Sequence, residues 1–202
     1  MPKAQKNRTN NPEGMRRKIL DVAEAAFQEK GYHATSLGDL MKAAGVTGGA
    51  LHHHFPTKKA IALAVIEERV AAAVEETWIR PVAAAISARD SVRNVFVAVA
   101  DELDAQGFVR GCPLNNLAHE LSLADPELRA AMDGIFAKWR DVISEKARRD
   151  RERGIEGAAA DPEQFAALAV ATYSGAMSMA KTAQDAGVLR VCGEGFLGGG
   201  GR

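Results

Sequence analysis

Apolar residues recur every three or four positions along most of the chain, which is the spacing of one face of an α-helix. The pattern predicts helices over residues 13–30, 57–79, 90–106, 113–123, 126–153 and 162–186. Two starts are marked by Asp125-Pro126-Glu127 and Asp161-Pro162-Glu163, where a capping carboxylate precedes a proline at the first helical position. No alternating run of β-branched residues is long enough to indicate a strand. The sequence therefore predicts an all-α protein.

Residues 35–59 predict two short helices joined by a glycine turn. The first helix has apolar residues at helical spacing: Leu37, Leu40, Met41 and Ala44. After a turn at Gly45, the second begins near Thr47 and hides Leu51 and Phe55, which leaves glycines and histidines facing outward. Such a face would add little to a core, but it suits close approach to DNA and hydrogen bonds to phosphates or base edges. This layout is typical of a DNA-binding helix-turn-helix.

The charges of the chain are unevenly divided, although its net charge is zero. Residues 1–60 hold 10 Lys and Arg against 5 Asp and Glu, whereas residues 61–202 hold 16 against 21. The positive segment is the one that carries the helix-turn-helix, where phosphates must be attracted. We therefore predict a basic DNA-binding domain joined to an acidic domain with a different task.

A family signature is recognisable in the turn and second helix, which run Gly45-Val46-Thr47-Gly48-Gly49-Ala50-Leu51-His52-His53-His54-Phe55 and continue with Thr57-Lys58-Lys59-Ala60. Their order and spacing resemble the tetracycline-repressor (TetR) family of transcriptional regulators. The match covers roughly residues 14–66 and includes Phe27 and the Gly31-Tyr32 turn. Family members usually carry tyrosine where this chain has His52, and often lysine or another long side chain where it has Gly48. The C-terminal part resembles the family in architecture only.

The resemblance implies an N-terminal three-helix helix-turn-helix domain and a C-terminal helical domain for ligand binding and dimerisation. It also implies a set of DNA contacts: Ser36, Thr47, Gly48, Gly49, His52, His53, His54 and Lys58. By family position, residues 47–49 would lie nearest base edges, residues 52–58 nearest phosphates, and Ser36 against a phosphate at the start of the preceding helix. Because glycine backbones carry little direct base discrimination, we expect operator shape to matter strongly.

The predicted organisation has five parts. These are a flexible basic arm (1–12), the helix-turn-helix domain (13–56), a connecting helix (57–80) limited by Pro81, an effector-binding and dimerisation domain (81–190), and a Gly-rich tail (191–202). The helix from Pro162 is rich in small residues, which fits either an ordinary core helix or a dimer interface. The resemblance favours the interface, since TetR regulators dimerise through their last helices. Glycines after residue 192 leave little material for a second interface helix.

Two sets of residues are candidates for an effector cavity in the second domain. A polar stripe follows helical spacing: Cys112, Asn115, Asn116 and His119. An apolar set could form the walls: Phe96, Phe136, Trp139, Tyr173 and Met177. The stripe could instead be solvated, and each apolar residue could equally belong to the core. Cys112, near a helix start, would have either a lowered thiol pKa suited to redox sensing or the inert character of a buried cysteine.

Other chemistry finds little support in the sequence. Three consecutive histidines, residues 52–54, point about 100° apart on a helix and do not form a metal site. Neither a cofactor motif nor a catalytic constellation is present, and the longest apolar run, residues 60–66, is too short to cross a membrane. We therefore expect a cytoplasmic homodimeric transcriptional repressor whose partners are a palindromic double-stranded DNA operator and a small hydrophobic or amphipathic effector. The alternatives are a DNA-architectural protein without an effector, or a small-molecule-binding enzyme that retains a helix-turn-helix.

Overall fold

The computed structural model describes residues 11–198, and every regular element within that range is helical. The all-α prediction is confirmed. The chain divides into two compact units, with the boundary between Val65 and Ile66. Within the described residues, no helix is both long and apolar enough to cross a membrane.

The N-terminal unit consists of α1 (Pro12–Lys30), α2 (Leu37–Ala44), α3 (Gly48–His54) and α4 (Lys58–Val65). Helix α1 packs on α2 and α4 through its buried stripe. The core of this unit is built from apolar side chains that are less than 5% exposed: Ile19, Leu20, Ala23, Phe27, Leu40, Ala44, Leu51, Phe55, Ile61 and Ala62. These residues recur at helical spacing, so burial of one face per helix holds the unit together.

The C-terminal unit begins with helical turns of two kinds. The π-helical segments π1 (Ile66–Val70) and π2 (Glu75–Ile79) flank α5 (Ala71–Val74), and α6 (Arg80–Ala84) follows. The expectation that Pro81 would limit the helix near Ile79 is wrong, because helical residues continue to Ala84. Pro81 lies in the first turn of α6, directly after π2, and the helical conformation continues past it although proline supplies no backbone N–H donor.

The remaining helices are α7 (Ala88–Gln106), α8 (Pro113–Leu121), α9 (Pro126–Glu152), α10 (Pro162–Ala183) and α11 (Gly187–Gly198). Asp125 accepts hydrogen bonds from Glu127 N–H (2.9 Å) and Leu128 N–H (3.2 Å), and Asp161 accepts one from Gln164 N–H (2.9 Å). Both predicted caps are thus confirmed. Helix α10 packs on α9 and α11, and α11 packs on α7.

Helix α11 corrects the predicted Gly-rich tail (191–202), because the helix continues to Gly198. A Cβ at Gly193 would lie 2.9 Å from Phe96 of α7, so glycine lets the two helices approach closely. The Arg190 guanidinium contacts carboxylate oxygens of Asp101 (2.5 Å) and Asp104 (2.8 Å), also on α7. Tertiary packing therefore outweighs the low helix propensity of glycine here.

Candidate DNA-binding surface and ligand cavity

The turn between α2 and α3 is fixed by local hydrogen bonds. Gly45 adopts a left-handed conformation with φ of 63°, which a residue with a side chain rarely takes. Thr47 then caps α3, accepting a hydrogen bond from Ala50 N–H at 3.3 Å. Leu51 is fully buried and Phe55 is 4% exposed, as the apolar pattern predicts. These contacts fix which face of α3 is turned outward.

The outward face of α3 is open and contributes little to the packing of its own unit. A Cβ added at Gly49 would meet no atom within 4 Å, and one at Gly48 would make only an ordinary contact with Met41 at 3.6 Å. His52 and His53 are exposed, and His54 is half-buried. His52 Nδ1 lies 3.3 Å from the Pro56 carbonyl oxygen; when Nδ1 donates there, Nε2 of the neutral ring is left as an acceptor. No acidic residue occupies the first turn of α3.

The other two predicted DNA contacts already have partners within the unit. Ser36 and Asp39 form a capping box: the Ser36 backbone N–H and hydroxyl donate to Asp39 Oδ2 (2.9 and 2.7 Å), and Asp39 N–H donates to Ser36 Oγ (3.1 Å). These hydrogen bonds lower the pKa of Asp39, so its carboxylate stays charged to a lower pH than that of an ordinary aspartate. The Lys58 ammonium lies 4.2 Å from the centroid of the Tyr32 ring.

Aromatic rings from four helical segments form one cluster in the C-terminal unit. Trp78 of π2 lies at its centre, with ring centroids 4.9 Å from both Trp139 and Tyr173 and 6.0 Å from Phe96. Phe136 stacks on Trp139 at 6.2 Å. Trp78, Trp139 and Phe96 are each 1% exposed, so the cluster belongs to the core of this unit.

The cluster borders a small cavity of about 40 Å³. Its walls include Thr77 and Trp78 of π2, Cys112 before α8, Trp139 of α9 and Tyr173 of α10. A larger open groove of about 730 Å³ lies between residues 73–85 and α7. Ala73 and Thr77 line both spaces, so the groove adjoins the cavity. The volume of the groove is in the range of small-molecule sites.

The predicted ligand residues are divided by this geometry. Cys112, Trp139 and Tyr173 line the small cavity, and Phe96 contacts its aromatic wall. Asn115, Phe136 and Met177 do not line it: Asn115 and Met177 are buried, and Phe136 stacks on Trp139. Asn116 lies outside, donating to the Arg110 carbonyl oxygen (2.9 Å) and accepting from Lys181 Nζ (3.1 Å). His119 is exposed on α8.

The chemistry of Cys112 follows from its burial rather than from its place beside a helix start. Burial raises the pKa of the Cys112 thiol, and backbone N–H groups of Asn115 and Leu114 only oppose that rise. The hypothesis of a lowered thiol pKa is therefore wrong, and the alternative of a buried thiol is confirmed. Burial also raises the pKa of Tyr173. The indole of Trp78 opposes this rise in the pKa of Tyr173. By its geometry, however, Trp78 Nε1 donates no hydrogen bond to any of the described residues.

Sequence reasoning missed Trp78, Thr77 and the groove. Trp78 is one of only two tryptophans in the chain, which could have marked it as a candidate. Its place on the predicted connecting helix concealed its neighbours, because the π-helical turns that position it leave no clear signal in the sequence.

The N-terminal unit has a three-residue turn, a short helix α3 capped by Thr47, and open space beside the outer face of α3. These features define it as a helix-turn-helix of DNA-binding regulators. A family model for "Bacterial regulatory proteins, tetR family" matches residues 19–65, and one for "Transcriptional regulator LmrA/YxaF-like, C-terminal domain" matches residues 88–195. The chain belongs to the TetR family of transcriptional regulators. The second match also corrects the view that the C-terminal half resembles the family in architecture alone.

Individual relatives agree with this assignment. The chain is 28% identical over 178 residues to the transcriptional regulator YxaF of Bacillus subtilis, covering 84% of this chain and 86% of that protein. It is 31% identical over 138 residues to the transcriptional regulator LmrA of the same organism, covering 66% and 71%. The crystal structure of a TetR transcriptional regulator from Chloroflexus aurantiacus has a TM-score of 0.79 at 26% identity, covering 93% and 94% of the two chains.

Proposed function

We propose that this TetR-family regulator is a homodimeric repressor that binds an inverted-repeat operator and releases it when a small molecule binds the C-terminal unit. The observation that carries the DNA-binding part is the outer face of α3, where glycines with open space beside them adjoin exposed imidazoles. This face has room for the backbone to approach base edges. His52, His53 and His54 offer hydrogen bonds to phosphates, and Thr47 and Lys58 stand at the starts of α3 and α4.

The proposed dimer interface is the exposed face of α10. Leu168 is 50% exposed and Met179 is 58% exposed, unusual values for large apolar side chains on a helix that also buries a core face. Between them lie the small exposed residues Ala171, Gly175 and Ser178. The small residues of α10 thus form two sets. The exposed set belongs to the proposed interface, and the other set is buried inside the subunit: Ala166, Ala169, Ala176 and Ala180. On α11, Val191 is 71% exposed and would extend the same apolar surface.

The proposed effector site is the groove together with the adjoining aromatic cavity. The groove favours a ligand-responsive regulator over an architectural protein, which would need no such space. An enzymatic role receives no comparable support, and the relatives named above are regulators. Release of DNA requires the ligand to favour the conformation that binds the operator poorly.

The proposal is tested by selecting DNA from a randomised pool and sequencing what the protein retains. We expect an inverted repeat whose half-sites are centred about 34 Å, or a multiple of this distance, apart. The variant Lys58→Ala should weaken binding to all sequences and reduce the slope of log affinity against log salt by about 1, because one phosphate contact is lost. Enrichment of no sequence, or of single half-sites bound by monomers, would contradict the proposal.

A further inference from the structure

The two tryptophans of the chain bury indole N–H groups that have no acceptor. Trp78 and Trp139 are each 1% exposed, and Nε1 of neither makes a hydrogen bond to any group among residues 11–198. An unpaired buried donor costs free energy that folding must offset, so such groups are rare in proteins. Both indoles line the same cavity. Both unpaired donors therefore belong to residues that line one cavity.

The charges around this space restrict what could occupy it. Within the described chain, no Asp, Glu, Lys or Arg lines the small cavity. The groove beside it is lined by the carboxylates of Glu76 and Glu102 and by no basic side chain of the described residues. An anion would be repelled at the groove and would find no counter-charge in the cavity. The group that enters the cavity should itself be uncharged, because a charge removed from water needs an ionic partner there.

The position of Trp78 on a π-helical segment connects the two spaces. Segment π2 places Thr77 in the walls of both groove and cavity and Trp78 in the wall of the cavity alone. Single π-helical turns inside longer helices often occur at functional sites. A ligand in the groove would thus need to extend only past Ala73 and Thr77 to reach the indoles.

We infer that the effector is a mainly apolar molecule without an anionic group, which enters from the groove and whose uncharged carbonyl-type acceptor takes a hydrogen bond from Trp78 Nε1 or Trp139 Nε1. The inference rests on the effector site of the proposed function and specifies the ligand class for it. The cavity of about 40 Å³ suits one acceptor group, while the groove of about 730 Å³ suits the apolar body.

The test uses two probes of nearly equal shape, 1-tetralone and tetralin, of which only the first has an acceptor. Because the chain has two tryptophans, a ¹H–¹⁵N spectrum of the full protein contains two indole N–H signals. Trp78→Phe and Trp139→Phe assign the signals and remove one donor each while keeping an aromatic ring. We expect 1-tetralone to shift at least one indole signal downfield and to bind about tenfold more tightly than tetralin, as one hydrogen bond would provide.

At least one of the two Trp→Phe variants should lose most of the preference for 1-tetralone, as measured by calorimetry. His119→Ala is the control, since this exposed residue lines neither space. Equal affinity for the two probes, unmoved indole signals, or a preference that persists in both variants would each overturn the inference, including the case in which water alone serves the donors. Operator binding, measured on the same samples without a probe, tests the proposed function separately.

Discussion

In the N-terminal unit the candidate functional residues lie at the surface, whereas most of those in the C-terminal unit are buried among one another. Gly49, His52 and His53 of α3 are exposed, and the space beside Gly49 is open. Trp78, Trp139 and Tyr173 are at most 5% exposed and form both the core and the wall of a cavity. One unit thus separates function from stability, and the other combines them.

This difference has a physical origin in the two kinds of ligand. A DNA groove is large and must be reached from outside, so the binding face can be built from residues that the fold does not need. A small apolar molecule is bound by enclosing it, so its contacts are drawn from side chains that also hold helices together. Substitutions on the outer face of α3 should therefore leave the core of the first unit intact, whereas substitutions in the aromatic cluster should weaken ligand binding and stability together.

The largest effect should follow from Trp78→Ala. Removing this ring from the centre of the aromatic cluster should lower the free energy of unfolding of the C-terminal unit by about 3–5 kcal/mol, through lost burial and a residual cavity. Urea denaturation followed by Trp139 fluorescence measures the change. His119→Ala should alter the stability by less than about 0.5 kcal/mol, as exposed substitutions usually do. A loss below about 1 kcal/mol for Trp78→Ala would show that the cluster does not stabilise the unit, and so does not combine stability with ligand binding.

The next largest effect concerns assembly. Gly175→Arg should convert the protein to a monomer and reduce operator affinity by about 100-fold, since a long charged side chain would be forced into the proposed interface. A Cβ at Gly175 meets no atom within 4 Å of its own subunit, so the monomer fold should tolerate the change. Sedimentation and operator titration provide the measurements.

Gly134→Arg is the matched control for this prediction, because Gly134 is also an exposed helical glycine with open space, on α9. It should remain dimeric. Replacement of Ala176 would give no such test, since this residue is 1% exposed and a charge there would disturb the core. A dimeric Gly175→Arg protein with normal operator affinity would place the interface elsewhere.

The comparison of the units also explains what the sequence could reveal. Features set by neighbouring residues were predictable: the caps at Asp125 and Asp161, the turn at Gly45 and the outward face of α3. Features set by contacts between distant residues were not. Gly193 suggests a helix end until its place against Phe96 is known, and the polar stripe of α8 cannot be divided into buried Asn115 and exposed His119 without its neighbours. The groove depends on how π2 packs near α7, which no local pattern records.

A smaller effect should separate stability from DNA binding in α3. Gly49→Ala should raise the free energy of unfolding of the N-terminal unit by about 0.5–1 kcal/mol, because alanine favours a helix and has room here. The same change should weaken operator binding by about tenfold if the α3 backbone approaches base edges closely, since a methyl group displaces about one hydrogen bond. Thermal unfolding and operator titration measure the two quantities. Unchanged or tighter operator binding would show that residue 49 does not face the groove.

The smallest effect should come from the start of α2, where the capping box complicates the predicted phosphate contact of Ser36. The Asp39 carboxylate is charged at neutral pH, as an aspartate with an ordinary or a lowered pKa is, so it would repel a phosphate that approaches Ser36. The favourable interaction of the charged form is present above the ordinary pKa of an aspartate and is lost only as the pH falls through the lowered value. Asp39→Asn keeps an oxygen acceptor for the cap but removes the charge.

We therefore expect Asp39→Asn to bind the operator about two- to fivefold more tightly at low salt, with the gain reduced at high salt as screening increases. Glu29→Gln, which neutralises an exposed carboxylate on α1, is the control for a change in net charge alone. If operator affinity rises equally in both variants, the effect is one of total charge and does not support a contact between Ser36 and a phosphate. If Asp39→Asn loses affinity, the carboxylate must support the DNA-binding conformation through the capping box, and the surface of this unit would be less independent of its stability than α3 indicates.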